Sequence, residues 1–101
     1  MAMLHIVNKS PFERNALDAC MRVATEGSSV LLIEDGIYAS MKNTTVAPQV
    51  SGATGVKFFV LGADLDARGM KEENVIDGID IVDYARFVDL VAEHDNVQSW
   101  L

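Results

Sequence analysis

Cys20 is the residue of this 101-residue sequence best suited to covalent chemistry, because a thiolate is a strong nucleophile and can carry sulfur as a persulfide. Reactive cysteines favour helix N-termini or electropositive, partly exposed sites. The stretch RNALDACMRVATEG instead predicts a helix with Cys20 in the middle of its apolar stripe. Cys20 therefore stands as a persulfide candidate, against the alternative of a small buried core residue, which the pattern favours.

The two histidines do not extend this chemistry to a metal site. His5 alternates with apolar residues and is expected to be a structural residue, while His94 is expected at the end of the last helix, where a cation would complement the dipole. Neither has metal-ligand spacing with Cys20, so we predict no metal and no cofactor. Helix caps and solvated turns account for most of a dense acidic set: Asp64, Asp66, Asp77, Asp80 and Asp83.

The elements that must position these residues alternate between strand and helix. Apolar runs predict strands at residues 4–7, 29–34, 57–62 and 79–83. Helices are expected from a Ser10–Glu13 capping box to Gly27, shortly after residue 36, around 46–50, from an Asp64 cap to Gly69, and along the face of Tyr84, Phe87, Val88 and Val91. The segment 42–55 is otherwise irregular, and the tail NVQSWL is an edge strand or a docking segment.

This order predicts an α/β fold of three layers, α/β/α, with a mostly parallel sheet of four or five strands. Residues 1–101 are expected to form a single domain. Ligands of such sheets bind beyond the carboxyl ends of the strands. Those ends carry Asn8, Lys9, Ser10, Glu34, Asp35, Gly36, Gly62, Ala63, Asp64, Asp83 and Tyr84.

No cysteine or histidine is among these strand-end residues. Lys9 with Glu34 or Asp35 could form a functional pair, or a solvated ion pair at a loop rim, which is the commoner case. A small-molecule site of flavodoxin type is disfavoured, because SGATGVK lacks phosphate-loop spacing. The motifs thus indicate an α/β domain without its own active site.

The composition of the chain limits the classes of partner that it could bind. The net charge is −7 and the eight Lys and Arg residues are scattered, which disfavours direct nucleic-acid binding and anionic membranes. Half of the residues are apolar, which is rich for so short a chain and predicts apolar surface reserved for a partner. The N-terminus lacks signal-peptide features and no apolar run is long enough to span a bilayer, so we expect a cytoplasmic protein.

Four segments, LHIVNKSPFERN, LLIEDGIYAS, LGADLDARG and IVDYARFVDL, together with the terminal NVQSWL, resemble the DsrH/TusB family of DsrEFH-like sulfur relay proteins. The resemblance covers essentially the whole chain and is closer to DsrH, the sulfur-oxidiser branch, where a cysteine in the first helix is familiar. It implies a DsrE-like fold and a cytoplasmic heterohexamer with DsrE-like and DsrF-like subunits, from which a DsrC-like protein accepts persulfide sulfur.

The principal sulfur-carrying cysteine of that family lies in the DsrE-type subunit, and no position here matches its motif. The resemblance therefore implies a non-catalytic or accessory subunit of a sulfurtransferase complex in sulfur oxidation. Two alternatives stay open. One is a TusB-like subunit of the relay for 2-thiolation of the tRNA wobble uridine, and the other is Cys20 as an active persulfide carrier.

Overall fold

The computed structural model describes residues 3–12, 16–24, 27–53 and 55–100. Their strands form one sheet, ordered β4-β3-β2-β1-β5, in which every pairing is parallel. The strands are β1 (Met3–Val7), β2 (Ser29–Leu32), β3 (Lys57–Leu61), β4 (Asp80–Val82) and β5 (Asn96–Trp100). The helices are α1 (Ala16–Val23), α2 (Ala47–Ser51), α3 (Gly62–Ala67) and α4 (Tyr84–Glu93), with 3₁₀ segments at Glu34–Ser40 and Glu72–Asn74.

Helices cover both faces of the sheet. Successive strand residues point to opposite faces, so the two faces can be told apart by their buried residues. Val30 and Leu32 belong to a core shared with α1, α2 and α3, whereas Leu31, between them, belongs to a second core shared with Leu90 of α4. The chain steps from β1 to β4 in one direction and then returns to place β5 beyond β1. A right-handed crossover in that return direction puts α4 on the opposite face. The predicted three-layer α/β/α fold is confirmed.

The four predicted strands are present: β1 begins one residue earlier than predicted, whereas β2, β3 and β4 are shorter. β2 stops at Leu32, two residues early, because Glu34 takes a left-handed conformation with φ of 49° and begins a 3₁₀ segment. The predicted helix near residues 46–50 is α2. Ser10 accepts a hydrogen bond from the Phe12 amide at 3.2 Å, while Glu13 of the predicted capping box lies outside the described residues.

Two helix predictions need correction. Asp64 does not cap a helix: α3 already begins at Gly62, and the Asp64 carboxylate binds a distant amide instead. In α4, Leu90 is the fully buried residue, whereas Tyr84 and Val88 of the predicted apolar face are exposed. The N-terminus of α4 is capped by Asp83, which accepts a hydrogen bond from the Arg86 amide at 2.8 Å.

The tail forms β5, the edge strand beside β1. Its Trp100 packs within the fold, since the indole Nε1 donates to Nδ1 of His5 at 3.1 Å. Leu101 lies outside the described residues. Of the helices in the described ranges, none has the length and apolar character that a membrane span requires.

Candidate functional site

The carboxyl ends of β2 and β3 are joined by four charged residues, which we call the edge network: Glu34, Asp35, Asp64 and Arg68. The Glu34 amide donates to the Asp64 carboxylate at 2.7 Å. Nε of Arg68 donates to Asp35 at 3.0 Å, and a terminal nitrogen of Arg68 lies 3.9 Å from Asp64. The guanidinium therefore bridges the loop after β2 and the helix after β3.

The turn that the network holds has tight steric requirements. Glu34 has a positive φ, which is costly for a residue with a side chain, and the Asp64 carboxylate compensates by accepting from its amide. Two residues later, a Cβ on Gly36 would lie 2.1 Å from the carbonyl oxygen of Val7. Only glycine lets this turn approach the end of β1 so closely. The Glu-Asp-Gly sequence is thus explained by packing against β1.

The edge network is a structural ion pair rather than an acid–base site. Asp35 pairs with Arg68 and not with Lys9, so the predicted Lys9 pair is replaced. Asn8, Lys9 and Ser10 lie nearby at the end of β1, and the Cα of Asn8 is within 3.4 Å of a Cβ built on Gly36. Among the described residues no cluster of three His, Cys, Asp or Glu could hold a metal ion.

Arg68 is the residue that our sequence analysis missed. Its signal was present in the segment LGADLDARG, because Asp64 and Arg68 are four residues apart and share one face of a helix. The contact to Asp35, 33 residues away, could not be read from that spacing.

Cys20 lies in the middle of α1, and none of its surface is exposed. It packs in the core between the sheet and α1, together with Leu17 and Val7. Burial raises the pKa of the Cys20 thiol from its ordinary 9.0 to about 11. At neutral pH only about one thiol in 10,000 would then be the reactive thiolate.

Both histidines have structural partners. His5 is almost fully buried and its Nδ1 accepts from Trp100, so the proton of the neutral ring is on Nε2. Burial lowers the pKa of His5 below its ordinary 6.5. His94 ends α4: its Nδ1 donates to the Leu90 carbonyl at 2.6 Å and its Nε2 lies 3.0 Å from the Ser29 hydroxyl. His5 is therefore the structural residue that the sequence predicted.

The remaining strand-end residues line an open cleft of about 410 Å³ between the ends of β3 and β4. Its lining residues are Gly62, Ala63, Asp66, Ile81, Val82, Asp83 and Tyr84. The chain after β3 enters α3 on one face of the sheet, while the chain after β4 enters α4 on the other. Such a divergence opens a crevice at the carboxyl edge. The cleft contains carboxylates and a phenol but no strong nucleophile.

Known protein sequences are similar to this chain over nearly its full length. A family model described as "DsrH like protein" matches residues 9–97. The protein TusB of Pectobacterium parmentieri is 33% identical over 98 residues, which cover 97% of this chain and all of that protein. TusB of Escherichia coli K12 is 31% identical with the same coverage.

Solved structures resemble the fold at lower sequence identity. The ychN protein from E. coli superposes with a TM-score of 0.80 at 17% identity, covering 98% of this chain and 99% of that one. A protein of unknown function from Methanobacterium thermoautotrophicum gives 0.68 at 17% identity, with 96% of each chain covered. The family match and the full-length relatives together show that this chain belongs to the DsrH-like family, which includes TusB.

Proposed function

We propose that this chain is a supporting subunit of a sulfur relay, and that the relay serves 2-thiolation of the tRNA wobble uridine. The observation that carries the proposal is full-length similarity to proteins named TusB, at 31–33% identity. Those names favour the branch that our sequence analysis placed second to sulfur oxidation. The chain's own charge of −7 supports a role in which another component holds the tRNA.

The supporting role rests on the state of Cys20 and of the strand ends. Persulfide transfer needs a thiolate that a donor can reach, and Cys20 is buried with a raised pKa. At the carboxyl edge, Arg68 bridges two carboxylates and the adjacent cleft holds no cysteine or histidine. This chain would shape and stabilise a complex whose sulfur-carrying cysteine belongs to another subunit.

The partners implied by the family resemblance are DsrE-like and DsrF-like subunits in a cytoplasmic heterohexamer. The surface of this chain supports a permanent assembly, because seven large apolar side chains are exposed among the described residues. Permanent interfaces are more hydrophobic than transient ones. A purified chain that remains monomeric in the presence of both partners would contradict this proposal.

The experiment that tests the function is deletion of the gene in its host, followed by mass spectrometry of modified nucleosides from total tRNA. We expect loss of wobble-uridine 2-thiolation and recovery when the gene is restored. Deletion of the DsrE-like partner provides the matched control, since it should give the same loss. Unchanged thiolation in the first strain, with loss in the second, would place this chain outside the pathway.

Sulfur oxidation through a DsrEFH-type complex is the second candidate, and the cysteine in the first helix favours it, since that feature is familiar in the DsrH branch. The two functions differ in the acceptor of the sulfur. Incubating the assembled, persulfide-loaded complex with a DsrC-like protein and measuring the acceptor's intact mass separates them only together with tRNA thiolation in the deletion strain. Transfer to that protein, with normal tRNA thiolation in the deletion strain, would favour sulfur oxidation.

A further inference from the structure

Helix α4 carries an apolar stripe that this chain leaves uncovered. Tyr84 is 62% exposed, Val88 66% and Val91 37%, at spacings of four and three residues, which place them on one side of the helix. The sheet is contacted by a different side, through Leu90, which is 1% exposed. Exposed neighbours of this kind in a small soluble domain mark an interaction surface.

The stripe continues onto the sheet at the C-terminal end of the helix and meets the open cleft at its N-terminal end. At the N-terminal end, Tyr84 lines the open cleft, whose other wall includes Ile81. Ile81 itself pairs in register with Val60 of the other core and so points to the opposite face of the sheet. At the C-terminal end, Val97 of β5 is exposed and pairs in register with Leu4 of the α4-side core, so it points to the same face. We call these four residues the α4 face: Tyr84, Val88, Val91 and Val97.

Acidic residues lie beside Tyr84 and Val88, whereas the two basic residues over Phe59 on this side of the sheet, Lys57 and Arg86, are each paired with a carboxylate. Asp66 and Asp83 line the cleft beside Tyr84, and Asp89 is exposed on α4 itself. Arg86 is the basic residue of that helix, and its guanidinium pairs with Glu93. A second copy would bring another acidic rim and another charge of −7 against this one, which costs free energy. The complementary occupant has an apolar centre and a rim of Lys and Arg.

We propose that the α4 face docks a different chain of the relay, whose contact surface is apolar at its centre and basic at its edge. An apolar side chain of that partner enters the cleft beside Tyr84, with a Lys or Arg against Asp66. The inference rests on the proposed function, because it assigns a surface to the partner contact that the function requires. It adds the location of the contact and the charge of the partner.

The test is co-expression of this chain with its DsrE-like and DsrF-like partners, followed by native mass spectrometry and size-exclusion chromatography. The variant is Val88→Glu, and the matched control is Val23→Glu, because Val23 is a 54% exposed valine on α1, in the layer on the other side of the sheet. Circular dichroism of each purified chain checks that both variants fold.

We expect Val88→Glu to weaken assembly at least about tenfold, since burying a valine is worth more than the ~1.4 kcal/mol that corresponds to tenfold in affinity. Val23→Glu should assemble like the wild type. A second variant, Asp89→Lys, should weaken assembly at low salt. The affinity of this variant for the partners should also depend less on salt concentration than that of the wild type.

Each of the other outcomes would overturn a specific part of the proposal. Normal assembly of Val88→Glu would show that the α4 face is not the contact, while leaving the proposed function intact. A wild-type homodimer that Val88→Glu dissociates would replace the basic partner with a second copy. Failure of the wild-type chain to join the complex would overturn the proposed function and this inference together.

Discussion

Alkylation of Cys20 in the native protein should be at least about a hundredfold slower than in the unfolded chain. At pH 8 a pKa of about 11 in place of 9.0 lowers the thiolate fraction about a hundredfold. A more basic thiolate is also more nucleophilic, which recovers about tenfold of that loss. The pKa alone thus accounts for about a tenfold decrease. Since none of Cys20 is exposed, the reagent must also wait for local opening, which we expect to contribute at least another tenfold.

The assay is intact-mass spectrometry during a time course with iodoacetamide at pH 8, run in buffer and in denaturing urea. The Cys20→Ser chain is the control for reaction at other residues, since Cys20 is the only cysteine. A native rate within tenfold of the unfolded rate would refute the reasoning. It would mean that the thiol is reachable and would favour Cys20 as a persulfide carrier.

Three further predictions concern stability. Gly36→Ala should lower the free energy of unfolding, measured by urea titration, by at least about 3 kcal/mol, because its Cβ would lie 2.1 Å from a carbonyl oxygen. The matched control is Gly27→Ala, which lies in open space at φ +90° and should cost about 1 kcal/mol. Asp83→Ala removes the N-terminal cap of α4 and should lower the free energy of unfolding, measured by thermal unfolding, by about 1 kcal/mol. The third prediction uses pH: burial lowers the pKa of His5, so the folded state binds fewer protons than the unfolded state. The wild type should therefore lose stability relative to His5→Asn as pH falls from about 7.5 to well below 6.5, in urea titrations across that range.

The controls for these predictions follow from the same contacts. Equal losses for Gly36→Ala and Gly27→Ala would show that the turn after β2 does not press against β1. A pH dependence shared by the wild type and His5→Asn would assign it to groups other than His5. The asparagine keeps an acceptor near Nδ1 for the Trp100 indole but cannot titrate in this range.

The sheet and its order of elements could be predicted because the signals are local. Runs such as VLLI and FFVL have no polar face, which is typical of strands covered on both sides, and the structure buries all of their residues except the partly buried Ile33. The prediction for Asp64 failed because its partner amide, that of Glu34, is 30 residues away. Sequence spacing identifies a helix start but gives no information about a competing long-range acceptor.

The orientation of α4 was the other limit of sequence reasoning. Its pattern contains two adjacent apolar sectors, and periodicity does not say which one faces the sheet. The structure assigns Leu90 to the core and leaves Tyr84 and Val88 exposed. The apolar excess of the composition was therefore a correct sign of uncovered surface, although its location required the fold.

The most direct test of the supporting role is complementation of the deletion strain with either the wild-type gene or Cys20→Ser, read out as wobble-uridine 2-thiolation in total tRNA. Immunoblotting should confirm equal protein levels, because Cys20 belongs to the core. We predict that both genes restore thiolation equally. Restoration by the wild type alone, at equal protein levels, would contradict the account and make Cys20 a carrier of the relayed sulfur.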